Sequence, residues 1–434
     1  MRRVTRLAAL FLAATALPVC AGPALSQTAP VSLGTPDAVL ADAFSSLRGA
    51  RELSDGTLLL ADWIEERVVR VDLATGSVTD VMLRGPGPDE VRLPSALVSM
   101  SGDSTLVVDL GNSRLTVLTP SGRAARAIRA ERPGLTGVGG VDSGGGIWFA
   151  VPAWAAQADP LPDDSVRVVR VDPDGTTRVV AVIQGSRRRS DAGTPSREPR
   201  IPVVGYAKQD GWALLSNGSL AIVRGGAYRV EVVSPDGRRV AGPPYAGRPR
   251  PVTDDDKRRF VIDFMASSPT SGRGADGGMG HSPAVDDAAV TRFVRSTEFA
   301  EEHPWFQGAP IPSPGGRVWV RRAGPADAPA LYDVFGGDGR RVHTVALPPG
   351  RRVLAVGVRG VYAAHADELG LESVERYRLP PDAIPTSGPT PSAPAASSAA
   401  HPSTATPGAT TPRVSLRSTA PTRSSFIPGA TSGR

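Results

Sequence analysis

Few residues of this chain stand in patterns that do chemistry. The histidines are His281, His303, His343, His365 and His401, and no two have the spacing of a metal-binding pair. Zinc needs three or four His, Cys or acidic ligands converging on one point, so a zinc-dependent reaction has no support. No Gly-x-Ser-x-Gly elbow occurs with a matching His and acid, which removes the usual serine-hydrolase arrangement. The glycine-rich tracts lack the strand-to-helix setting of a phosphate cradle. Arg187-Arg188-Arg189 is the densest basic run, among Ser, Pro and Gly and without the aromatic partners of a nucleic-acid site. It reads as a solvated loop. The formal charge of +6 is an arginine excess with acids interspersed, so no nucleic-acid partner is expected.

What would position any site is a recurring unit of strand periodicity. Asp55-Gly56 opens the apolar run Thr57 to Asp62, and a short polar turn leads to the alternating run Arg67 to Asp72. The next copy runs from Gly102-Asp103 through Thr105 to Asp109, then Arg114 to Leu118 and Pro120-Ser121-Gly122. Turn residues bracketing β-branched runs are the hairpin signature. In both copies an Arg lies five positions after the Asp that ends the first run. Asp62 and Asp109 therefore read as turn or inter-blade hydrogen-bonding residues.

Further copies start at Ile147, Ser219, Arg317 and Val361, making six units. Repeated antiparallel units of about 40 residues mean propeller blades. The expected fold is all-β: a six-bladed β-propeller over 27–380, closed by an N-terminal strand. The last unit ends at Leu379 without its outermost strand, which Ala29 to Leu33 is expected to supply.

Two insertions interrupt the ring. Residues 184–205 read as an arginine-rich loop. Residues 246–305, between blades 4 and 5, carry helical patches at Asp254–Met265 and Asp286–Phe299, with Phe260, Phe264, Phe293 and Val294 as an apolar face expected to dock on the propeller. Residues 271–280 read as mobile. Residues 381–434 are Ala, Ser, Thr and Pro with four arginines and one acid, Asp382, and read as a disordered tail.

Residues 1–26 have the form of a secretory signal peptide. Arg2, Arg3 and Arg6 precede an apolar run, Leu7 to Leu17, too short to span a bilayer, and Ala24 and Ser26 suit cleavage. A lipoprotein anchor at Cys20 is the alternative, disfavoured by Val19. The expectation is an exported, periplasmic or secreted protein without a transmembrane segment in its mature form. With Cys20 the single cysteine, the fold must stand without disulfides.

The repeats resemble those of NHL-like and TolB-like six-bladed propellers, in which strand, Asp, short turn and Arg recur. Gly85-Pro86-Gly87-Pro88-Asp89-Glu90 resembles the Gly-Pro-Gly-Glu signature of exported bacterial members. Glu302-His303-Pro304-Trp305 and Asp367 to Val374 resemble their fifth-blade and final-blade motifs. The resemblance spans about residues 30–380 and speaks for fold, since propellers host unrelated activities. The fourth blade departs from the pattern, with Arg224 where the Asp would stand. Some six-bladed relatives are calcium-dependent lactonases with a carboxylate cluster in the channel. Glu52, Asp142 and Asp210 lie just before or within the presumed inner strands and are the candidates for such a cluster, although Asp142 and Asp210 also sit beside glycine turns.

Residues following each blade's second strand should lie on one face of the disc, at the channel mouth. They include Trp63, Arg224, Arg321, Arg322 and His365, and exposed aromatics and arginines are recognition anchors. The competing reading is packing for Trp63 and solvation for the arginines. The leading expectation is a non-catalytic binding or scaffold propeller with no cofactor, expected to be a monomer, whose partner is a protein, a peptide or an anionic envelope ligand. The alternative is a metal-assisted hydrolase, lactonase or lyase using the central channel, with calcium as its cofactor.

Overall fold

The computed structural model describes residues 29–129, 137–153, 161–162, 164–187, 203–267, 286–325 and 328–379. Residues 1–26, read above as a signal peptide, the Ala/Ser/Thr/Pro-rich residues 381–434 and the glycine-rich stretch 271–280 lie outside them.

Six antiparallel sheets form the blades. Blade 1 is Leu47–Glu52, Leu58–Asp62, Arg67–Asp72 and Ser77–Arg84, and blade 2 is Pro94–Ser99, Thr105–Asp109, Arg114–Leu118 and Ala124–Arg129. Blade 3 is Val138–Val141, Ile147–Pro152, Ser165–Val171 and Thr177–Gln184. Blade 4 is Gly211–Leu214, Leu220–Arg224, Arg229–Val233 and Arg239–Ala241. Blade 5 is Ile311–Ser313, Arg317–Arg321, Ala330–Phe335 and Arg341–Leu347, and blade 6 begins with Arg351–Val356, Val361–Ala366 and Glu372–Tyr377. The first strand of each blade touches the first strand of the next, and the sixth touches the first, so the ring is closed.

Closure follows from burial. Every residue of the second strands Leu58–Asp62 and Thr105–Asp109 is buried, because each strand has a sheet neighbour on both edges and a blade on both faces. Alternation along the strand divides the side chains: Leu58 and Leu60 pack towards blade 6, Leu59 and Ala61 towards blade 2. Each of the six seams holds its own apolar cluster, built from two adjoining blades. No blade could hide these surfaces alone.

The closing strand is not the one expected. Ala38–Phe44 pairs antiparallel with Glu372–Tyr377 as the outer strand of blade 6. Val31–Ser32, from the expected segment, instead runs parallel to the outer strand of blade 5. The reason is apolar content: Leu40 and Phe44 are 2 % and 1 % exposed in the blade 6–blade 1 seam, whereas the earlier segment offers only Leu33. Asp37 locks the junction by accepting from Arg376 Nε and Nη2, both at 3.0 Å.

The disc has two faces. On the lower face lie the turns from first to second and from third to fourth strand, among them Gly56 and Gly145 at φ 87° and 79°, where glycine avoids the left-handed penalty. On the upper face lie the turns from second to third strand and the connections between blades. There Glu66, Ser113 and Tyr228, each one residue before a third strand, hold positive φ without being glycine. Such backbone costs on the order of 1–2 kcal/mol per residue and persists only where its surroundings enforce it.

The insertion between blades 4 and 5 contains helices α1 (Asp254–Ser267) and α2 (Asp287–Ser296). Thr253 and Asp256 form a reciprocal cap: Asp256 N donates to Thr253 Oγ1 at 3.2 Å, and Thr253 N to Asp256 Oδ2 at 2.9 Å. Asp286 caps α2 by accepting from Ala288 N. Phe260, Phe264, Phe293 and Val294 do form an apolar face, around buried Val261 and Val290. It packs on Val203 and Phe299, so the second insertion rests on the end of the first.

Truncating the closing strand tests this account. Leu40→Ala is expected to lower stability by about 2–5 kcal/mol, read as a reduced urea midpoint. The mirror substitution Val39→Ala, at a 54 % exposed position of the same strand, should leave it nearly unchanged.

Candidate functional site

The three acids suggested for a cation do not meet. Asp210 precedes the first strand of blade 4 on the upper face, whereas Glu52 and Asp142 stand at the lower ends of first strands in blades 1 and 3. Each is already engaged. Glu52 accepts from Tyr362 Oη at 3.0 Å and from Arg359 N at 3.2 Å, in a space that a side chain at Gly357 would fill. Asp142 accepts from Gly144 N, Gly146 N, Trp148 Nε1 at 2.8 Å and Arg170 Nε at 2.5 Å. Burial would raise its pKa, but the bonds from Arg170, Trp148 and Gly146 outweigh burial and bring it down to about 2. Among the described residues no group of three or more His, Cys, Asp or Glu could hold a metal ion. The expected carboxylate cluster for calcium is therefore corrected: these residues do not fit a cation.

Asp210 and Arg224 explain each other. In blades 1 and 2 the acid ends the second strand and gathers the incoming connection. Asp62 accepts from Ser45 N at 2.9 Å and Ser46 N at 3.1 Å, and Asp109 accepts from Arg92 N at 3.0 Å and Arg114 Nε at 2.9 Å. Blade 4 inverts the pair. Arg224 ends the second strand and Asp210 lies in the incoming connection, joined at 2.7 Å, with Gly225 N donating to Asp210 at 2.9 Å. Arg224 also reaches Glu231 at 2.8 Å. One residue proposed for binding and one proposed for metal thus form a single structural clamp.

Arg322 is also structural. Its Nε and Nη2 bind Asp333 at 2.7 Å each, and Asp333 is fully buried, accepting in addition from Tyr228 Oη at 2.6 Å and Thr344 Oγ1 at 2.7 Å. Arg322 and Arg341 each lie 5.1 Å from the Tyr245 ring centre. Trp305, of the fifth-blade motif, stacks on Tyr228 with centroids 5.9 Å apart. Burial, then the charge of Asp333, pushes the Tyr228 phenol well up, so it remains a donor. His303 of the same motif is buried, with Nε2 3.0 Å from Asp256 Oδ2 and its ring 4.3 Å from that of Tyr206. Arg250, by its hydrogen bonds, holds the Asp256 carboxyl far below the usual range.

Trp63 is half-buried on the upper face, with the Arg48 guanidinium 5.9 Å from its ring centre. Arg321 and His365 belong to one seam. Arg321 pairs with Tyr332, whose side chain packs with Val353 and Ala363 of blade 6. His365, two residues beyond Ala363, is on the side of blade 6 that faces blade 5. Opposite it in register stands Arg351, which binds Glu375 through Nε and Nη2, both at 3.1 Å. The His365 side chain is 35 % exposed, and its Nδ1 lies 3.8 Å from Glu375 Oε1. Tyr377 Oη also donates to Glu375. Burial tends to raise the Glu375 pKa, but Arg351 and Tyr377 prevail and hold it below its ordinary value. Burial, then the Glu375 hydrogen bond, pushes Tyr377 up to about 12.

An accessible imidazole backed by an anionic carboxylate, with an arginine alongside, can transfer protons and hold an anion. Among the described residues Arg321 makes no ion pair, which leaves its charge available at the same seam. Reasoning from sequence named Arg321 and His365 but missed Arg351, Glu375 and Tyr377. The signal for Glu375 was the alternation of Ser373, Glu375 and Tyr377 on one side of a strand, an acid in an otherwise buried row.

No family model matches the chain, and no curated protein does. Solved structures do. A catalytically inactive virginiamycin B lyase from Staphylococcus aureus is 10 % identical over 78 % of this chain and 82 % of its own, with TM-score 0.36. A gluconolactonase from Xanthomonas campestris is 13 % identical over 78 % and 91 %, TM-score 0.36. A calcium-binding regucalcin from Agrobacterium tumefaciens is 12 % identical over 81 % and 96 %, TM-score 0.38. The likeness is one of fold. The chain is a six-bladed β-propeller. The expectation of a non-catalytic binding or scaffold propeller is corrected here: the solved structures of similar fold include a virginiamycin B lyase and a gluconolactonase. What this chain does must be argued from its own residues. Among the described residues no helix is long and apolar enough to cross a membrane.

The depressed pKa of Asp142 sets a pH dependence. A carboxylate whose pKa is lower in the folded state stabilises it above the unfolded pKa, and this contribution is lost as pH falls through the folded value. Thermal midpoints measured from pH 5 down to about 2 should fall, and Asp142→Asn should start lower and flatten that part of the curve.

Proposed function

We propose that the chain is an enzyme of the hydrolase, lactonase or lyase type, acting on a small anionic substrate at the upper end of the seam between blades 5 and 6. The supporting observation is the His365 side chain, 35 % exposed, with Glu375 behind it and Arg351 opposite it in the sheet. His365 acts as the proton-transfer group. It takes a proton from a water attacking an ester or lactone carbonyl, or from the carbon next to a carbonyl in an elimination. A neutral imidazole can accept the proton in either task. Glu375, 3.8 Å away, favours the imidazolium that forms through its charge. Arg321 holds the substrate's negative charge. No step is assigned to a metal, because Glu52, Asp142 and Asp210 do not fit one.

We also propose that the protein works outside the cytoplasm, after removal of residues 1–26. The basic and apolar pattern of Arg2 to Leu17 supports this. Mass spectrometry of the protein recovered from cells should find Gln27 as the first residue.

A panel of lactones, esters and anionic elimination substrates tests the activity. Turnover on at least one class is expected, and His365→Ala should lower kcat by about 10²–10⁴-fold with the melting curve preserved. Arg321→Ala should raise KM about tenfold with kcat within about twofold, the pattern of lost ground-state binding. Full activity in His365→Ala, or an inert panel, would sink the reading.

A further inference from the structure

The lower face of the same seam carries a separate feature. A cavity of about 130 Å³ lies there, walled mainly by Trp319, Val345, Val356 and Leu379, with Ser313, Arg317 and His343 also in its lining. A largely apolar space of about this size holds a benzene-sized group. Next to it is a more open cavity of about 350 Å³, lined by Arg359, Arg376, Arg378 and Asp37. Val358 and Leu379 belong to both walls. Val358 stands on the turn between the first two strands of blade 6 and is 84 % exposed. An aliphatic side chain this exposed between an apolar cavity and a basic one is otherwise unexplained.

The charge is unbalanced. Asp37 is shared by Arg376 and Arg378, whose Nε lies 2.6 Å away. Arg359 makes no ion pair among the described residues, and its Nη2 donates only to the Asp55 carbonyl at 2.8 Å. The nearby Glu52 already accepts from the Arg359 N–H and the Tyr362 hydroxyl. Three arginines therefore line a space to which Asp37 contributes the one lining carboxylate, with the Arg359 guanidinium resting over Gly56 at its edge. Arginine forks match carboxylates in geometry as well as charge.

We propose that the two cavities form one binding site for a small carboxylate bearing an aryl or short alkyl group. The apolar end enters the space beside Trp319, and the carboxylate meets Arg359, Arg376 and Arg378. This site is on the opposite face from His365 and does not depend on the catalytic reading.

Isothermal titration of the full chain with 4-phenylbutyrate tests it, with butyrate and 4-phenyl-1-butanol as the arms lacking the ring and the charge. The acid should bind about tenfold or more tightly than either, since a charged hydrogen bond and a buried ring each contribute at least this much. Arg359→Ala and Val358→Asp, both on an exposed turn, should each weaken it about tenfold, while His365→Ala leaves it unchanged. Equal affinity for all three probes, indifference to both turn variants, or loss in His365→Ala would overturn the proposal. So would binding seen only after Asp382→Lys and Ile384→Ser are made together, because the chain's own tail would then be the occupant.

Discussion

Burial of both sides of every central strand is the constraint from which the rest follows. With blades packed on each face, a strand such as Thr105–Asp109 has no exposed residue, and a polar group at its end must find all its partners inside the protein. Asp62, Asp109 and Asp333 do so, each binding several donors contributed by a turn, a connection or a neighbouring blade. The same crowding forces Glu66, Ser113 and Tyr228 into left-handed backbone, so that third strands can start where the ring needs them. Chemistry is left to the rims, where strand ends escape this packing.

The blades were legible because their signals are local. Glycine turns, apolar runs and an Asp followed five residues later by Arg repeat within single hairpins, and those hairpins fold as read. The partners across the ring were less so. Ala38–Phe44 alternates as weakly as its neighbours in sequence, and only the seam it fills distinguishes it from Ala29–Leu33. A strand's pairing is decided by what lies opposite, and here the opposite strand comes more than 300 residues later.

Side-chain roles were misread where charges had exchanged places. Arg224 and Asp210 each looked available because the neighbouring blades put an acid where blade 4 has its arginine; the clamp is kept with its ends reversed. Arg322 was placed with Arg321 on one face at the channel mouth, but adjacent residues on a strand face opposite sides. One enters the buried seam with blade 4 and the other the seam with blade 6. Glu375 escaped notice because its importance lies in what stands across the sheet, His365 and Arg351, and not in any spacing along the chain.

The Asp37–Arg376 lock joins positions separated by 339 residues, and this has a consequence for how the molecule is made. A ribosome delivers the outer edge of blade 6 first and the rest of that blade only after the other five. Until Glu372–Tyr377 has been made, Leu40 and Phe44 have nowhere to go, and the seams on either side of blade 6 stand open to water. The disc can become a stable object only after that point, so the nascent chain needs protection from aggregation until then.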